Sequence, residues 1–152
     1  MACGLRLRRI VAKLSDNSFD RFRNLYLVAE NIADGIRANK TLSKQKLEKK
    51  YNTASYEKAL LQFALDQIFA KNLGPLKQAT ASTYAIDDKQ PLISQVVDIL
   101  YEKTRCALNH SKYTENKKAP FEPEDEAEVG KAIPLMDFVS RSLLTYEETT
   151  LK

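Results

Sequence analysis

One short segment carries side chains suited to chemistry: Arg105-Cys106-Ala107-Leu108-Asn109-His110, which holds the single histidine of the chain. Histidine is the side chain whose unperturbed pKa lies near neutrality, so it can take or give a proton at physiological pH. Arginine stays charged and presents a planar fork that fits two oxygens of a phosphate. Together they suit cleavage of an RNA backbone. The imidazole would take the proton of a ribose 2′-OH or give one to the leaving 5′-oxygen, and the guanidinium would steady the charge building on a phosphorane-like transition state. Such a reaction needs no metal and no other cofactor, and it would spare DNA, which lacks the 2′-OH. One histidine is a thin supply for both proton transfers. A homodimer that joins two such helices would place two Arg–His pairs in one cleft.

The element that must position these groups is a helix running from about Pro91 to His110. With Arg105 at zero on a helical wheel, Asn109 falls near 40°, Cys106 near 100° and His110 near 140°, whereas Val96, Val97, Leu100, Ala107 and Leu108 fall between about 180° and 300°. One face is therefore an apolar core face, and the other gathers Arg105, Asn109, Cys106 and His110. A second role for His110 is purely structural. Near a helix C-terminus an imidazolium is favoured by the dipole and can bond the last carbonyls.

Three further main helices are predicted around it. The first spans about Ser18 to Ala38, with Asp16, Asn17 and Ser18 as N-cap candidates and an apolar stripe from Phe19 to Ile36 at three- and four-residue steps. The second spans about Ser55 to Lys71; its interior, ALLQFALDQIF, is apolar on more than one side, which predicts a central, buried position. The fourth starts near Pro123 with an acidic first turn that complements the helix dipole, and Pro134 inside it should kink or divide it. The lysine-rich stretch Thr41 to Asn52 reads as a short surface helix. Gly74-Pro75 ends the second helix, and Leu76 to Gln90 and Ser111 to Glu122 read as loops. The implied fold is all-α, an up-and-down bundle of four main helices plus a short extra helix. Residues 1–15 form a basic N-terminal segment, 16–148 the helical domain and 149–152 a tail.

Composition bounds the remaining possibilities. The chain has 152 residues, 43% of them hydrophobic, and only 4 Gly and 5 Pro, which favours long helices with short connections. No apolar run approaches the length of about 18 residues that a membrane span requires, so no membrane partner is expected. Cys3 and Cys106 form neither a CxxC motif nor a Cys/His cluster, which points away from disulfides and zinc and towards a reducing, cytoplasmic compartment. The Arg-rich start lacks the apolar run of a secretory signal; it matches an organelle presequence in composition, or an ordinary first element. A net charge of +4 is compatible with nucleic acid without demanding it. Runs such as Lys44–Lys50 read first as solvated faces.

The segment VVDILYEKTRCALNHSKY resembles the signature helix of HEPN domains, whose hallmark is Arg, four to six residues, then His. The Apea-like branch is the nearest in pattern, with an aromatic several residues before the arginine and a serine after the histidine; Tyr101 and Ser111 match. FEPEDEAEVGKAIPLMDFVSRSLL resembles the acid-started last helix of that branch. The resemblance covers about Leu92 to Leu144, and the first two helices match in general character only, including a helix-borne acid, Glu30. It implies a usually dimeric helical domain whose active members are metal-independent endoribonucleases of toxin–antitoxin systems, phage defence and RNA processing, with RNA, an antitoxin or a fused effector domain as partners. Arg105 and His110 would be catalytic, and Cys106, Asn109 and Ser111 would line the site. One departure is notable: Cys106 stands where active members usually carry a polar residue, and a thiol is a weak hydrogen-bond donor. Tyr113 reads as a loop tyrosine. Two other readings follow: a catalytically inactive HEPN module that binds RNA or dimerises, and an unrelated helical adaptor.

Overall fold

The computed structural model describes residues 17–105 and 123–150. Six helices make up the regular structure of these residues: α1 (Ser18–Asn39), α2 (Lys44–Lys50), α3 (Tyr56–Phe69), α4 (Gly74–Ala81), α5 (Leu92–Val97, continued by a wider π-type segment Asp98–Arg105) and α6 (Pro123–Thr150). The fold is all-α, a helical bundle.

Local chemistry explains where the helices start. Asn17 caps α1, its side-chain oxygen accepting from the amides of Phe19 at 2.8 Å and Asp20 at 3.4 Å. Ser43 and Ser55 cap α2 and α3 in the same way, each hydroxyl accepting an amide at 3.1 Å. Pro75 sits in the first turn of α4, where its missing N–H costs nothing. Leu76 and Thr80, four residues apart on α4, are both buried. Leu76 to Gln90 is therefore not all loop: the Gly74-Pro75 pair ends one helix and opens the next. Pro134, expected to kink or divide α6, lies exposed within a single continuous helix.

The core is assembled from α1, α3, α5 and α6. Phe22, Leu25, Ile32 and Ile36 of α1 meet Leu60, Phe63 and Leu65 of α3 and Met136, Val139 and Leu143 of α6, all fully buried. The most extensive interface joins α1 to α6. α3 is buried on several sides, as its composition predicts; α5 packs against it, and Val96 and Leu100 are buried in the same core. A Leu buried fully contributes about 1.5–3 kcal/mol.

The π segment changes how the end of α5 presents its side chains. In such a segment the hydrogen bonds reach five residues rather than four. The buried Thr104 hydroxyl follows that register, donating to the Ile99 carbonyl at 2.8 Å. Tyr101 from the same segment shares a 2.7 Å hydrogen bond with the Ser55 cap, and Lys58 pairs with Glu102 at 2.8 Å. The π segment is thus tied to the first turn of α3.

Candidate functional site around Arg105

Arg105 closes the π segment. Its Nε donates to Oε1 of Glu57 at 2.7 Å, and its guanidinium lies 5.2 Å from the centre of the Tyr26 ring. Two elements supply these partners. Glu57 belongs to the first turn of α3, two residues after the Ser55 cap, and Tyr26 belongs to the buried stripe of α1. The Arg105 side chain is only 13% exposed and that of Glu57 26%. The helical wheel set Arg105 at one edge of a polar arc; here its side chain is covered by α1 and α3 of the same chain. Among the described residues, the terminal guanidinium nitrogens of Arg105 hold no hydrogen bond, so the pairing pins the side chain through Nε and leaves the fork uncommitted.

Glu30 lies one turn beyond Tyr26 on α1 and faces the same region. Burial, and then repulsion by the Glu57 carboxylate, push its carboxyl above the ordinary value, with Arg105 pulling the other way. Tyr26 is 2% exposed, and its phenol is held well above the ordinary range, first by burial and then by Glu57 and Glu30. It stays neutral, and its hydroxyl has no hydrogen-bond partner among the described residues. A cavity of about 10 Å³ touches Tyr26, Glu30, Glu57 and Leu143. That is the scale of a single water, far too small for a nucleotide, so a phosphate would have to meet Arg105 from the surface.

Of the residues proposed to form the site, only Arg105 is placed. His110, Cys106, Asn109, Ser111 and Tyr113 lie outside the described residues. Tyr101 is placed, on the same segment, against Ser55. Glu57 was not singled out. An acid in a first turn already has an explanation in the helix dipole, and nothing in the local sequence marks its distant partner. Glu30 was named only through the family resemblance, as a helix-borne acid, with no role given to it. Among the described residues, no group of three His, Cys, Asp or Glu side chains could hold a metal ion. None of the described helices is long and apolar enough to cross a membrane.

The described residues therefore define an all-α protein with an ion-paired, largely buried arginine at the end of a π segment. The family model described as methylamine utilization protein MauJ matches residues 11–145. The chain belongs to this family. No curated protein and no solved structure shows a significant match to it.

Proposed function

We propose that the chain is a HEPN-type, metal-independent endoribonuclease that cleaves RNA through Arg105 and His110, acting as a homodimer. The observation that carries this reading is the setting of Arg105. Glu57 and Tyr26 hold the guanidinium from one side, and its terminal nitrogens stay uncommitted among the described residues. A guanidinium held in this way is oriented in advance for two phosphate oxygens, which lowers the cost of binding a developing charge. The Arg-x4-His spacing then puts the one histidine of the chain a few residues further on, as the proton donor or acceptor. A toxin or phage-defence role, with an antitoxin or fused effector as partner, goes with this reading.

The test is direct. Purified protein is mixed with a folded RNA pool and matched DNA in EDTA, beside His110→Ala and Arg105→Ala variants. RNA-only cleavage that leaves 2′,3′-cyclic phosphate ends and is lost in both variants is the expected result. Intact RNA with all three proteins equally folded would overturn it.

A second reading has its own observation. Glu57 already neutralises Arg105, and Cys106 follows where a better hydrogen-bonding residue would serve an active site. A catalytically inactive module that binds RNA or dimerises would show both features. It predicts RNA binding that survives His110→Ala, with no cleavage by the unmodified protein.

A further inference from the structure

Helices α3, α4 and α6 border a groove at the end of α3 that lies away from Glu57. Ile68 and Phe69 come from the last turn of α3, Pro75 from the first turn of α4, and Phe138, Arg141 and Thr145 from α6. The three α6 residues follow one another at three- and four-residue steps, so they share a face. At about 1.5 Å per residue, Ile68 lies roughly 17 Å along α3 from Glu57, and the groove is separate from the Arg105 seat.

The groove has a volume of about 410 Å³ and a mainly apolar lining. Sites for small molecules are concave and mostly apolar, of roughly 300–1,000 Å³, with a few polar groups that fix orientation. Here the apolar part is built on a ring pair. Phe69 is buried and Phe138 half-buried, with their centroids 5.7 Å and their planes 19° apart. Ile68 and Pro75 add aliphatic surface.

The polar part carries one sign of charge. Arg141 is exposed, and its guanidinium lies 5.9 Å from the centre of the Phe138 ring. Among the described residues it has no carboxylate and no hydrogen-bond acceptor. Thr145 is exposed one turn further along, and its hydroxyl makes no hydrogen bond among the described residues. The Ser142 hydroxyl is already spent on the Phe138 carbonyl at 2.8 Å. No acid lines the groove. Its complement is therefore an apolar body with one negative charge at its edge.

We propose that this groove binds a small monocarboxylate with an aryl or alkyl body. The body lies on Ile68, Pro75 and the ring pair, and the carboxylate accepts from the Arg141 fork and the Thr145 hydroxyl. The planar guanidinium matches the two carboxylate oxygens, which a single ammonium would not. A second carboxylate would find no cation, so a single charge is selected. The proposal goes beyond the RNA reading and uses none of its residues, so either can fail without the other.

The probe is phenylbutyrate, titrated into the full chain and followed by heteronuclear NMR, beside phenylbutanamide, which has the same shape without the charge. Saturable shifts in the backbone signals of Ile68, Phe138 and Thr145 are expected. A hydrogen bond to a charged group is strong enough that Arg141→Gln, or the neutral probe, should weaken binding by about tenfold or more. Arg141→Lys keeps the charge, loses the fork and should fall between. Lys49→Gln, on α2 and outside the groove, should bind as the unmodified protein does. Arg141 is exposed, so its substitution leaves the core intact. Equal binding of the two probes, unchanged affinity in Arg141→Gln, or no saturable shift up to about 10 mM phenylbutyrate would overturn the proposal. So would a concentration-dependent dimer, seen by sedimentation, that covers the groove and that phenylbutyrate does not compete with; the groove would then belong to a second copy of the chain.

Discussion

Glu57 and Arg105 are 48 residues apart in sequence and 2.7 Å apart in space. The pair joins the first turn of α3 to the last residue of the π segment, and the Tyr26 ring of α1 completes the seat. Three elements that each pack into the core for their own apolar reasons thus meet at one ion pair.

Removing one partner should therefore be costly. Glu57→Ala leaves a guanidinium that is mostly buried without its carboxylate, and a loss of about 2 kcal/mol in urea unfolding is expected. Glu57→Gln keeps a hydrogen-bond acceptor and should lose less. Equal stability of Glu57→Ala and the unmodified protein would show that the pair contributes nothing to the fold.

Glu30 predicts a pH dependence of a definite sign. Its carboxyl is raised above the ordinary value of 4.5. Between that value and the higher folded-state value, the native protein holds more protons than the unfolded chain, so stability falls as pH rises through the window. Asp34 works in the opposite direction: its Tyr56 and Arg37 hydrogen bonds lower it from 3.8, so its contribution is complete above that pH and fades in stronger acid. Urea midpoints measured from pH 4.5 upward should decline in the unmodified protein and lose that decline in Glu30→Gln. A parallel decline in both would assign it to other groups.

The Tyr26 hydroxyl is buried without a partner among the described residues, while its ring packs near Phe22 with centroids 6.0 Å apart. Tyr26→Phe removes the unsatisfied group and keeps the ring. It should be neutral or stabilising by up to about 1 kcal/mol in thermal or urea unfolding. A clear loss of stability would mean that the hydroxyl is paired in solution.

Pro134 is exposed in the middle of α6. It removes one backbone hydrogen bond and crowds the preceding turn, yet contributes no buried side chain. Pro134→Ala should raise stability by about 1–2 kcal/mol, the helix gain being partly offset by the freer unfolded chain. Reduced helical circular dichroism in that variant would contradict the continuous helix.

Much of the fold was legible in the sequence because apolar periodicity reports burial directly. The stripe from Phe19 to Ile36 and the broad apolar character of the Ser55–Lys71 stretch both correspond to buried surfaces of α1 and α3. Helix α4 was hidden because only Leu76 and Thr80 mark its inner face, and Gly74-Pro75 reads equally as an end or a beginning. The site was legible only in part. Arg105 stood out by type and spacing, but the wheel assumed a regular α-helix and so left it facing outward. A wide turn leaves no trace in residue type, and a partner 48 residues away is outside any local pattern.

The π segment also bears on how this part of the chain tolerates length change. A π turn holds one more residue than the α turn it replaces. Deleting a single residue between Asp98 and Thr104 would let the backbone revert to α-helix with the residues beyond kept in their direction, whereas one further residue inserted there would rotate everything beyond by roughly 100°. Only the insertion would swing Arg105 off Glu57 and the Tyr26 ring, although every side chain of the site was still encoded. Within this stretch the loss of one residue is therefore tolerated better than the gain of one: a one-codon deletion, like a substitution at exposed Lys103, leaves the arginine in place, and a one-codon insertion does not.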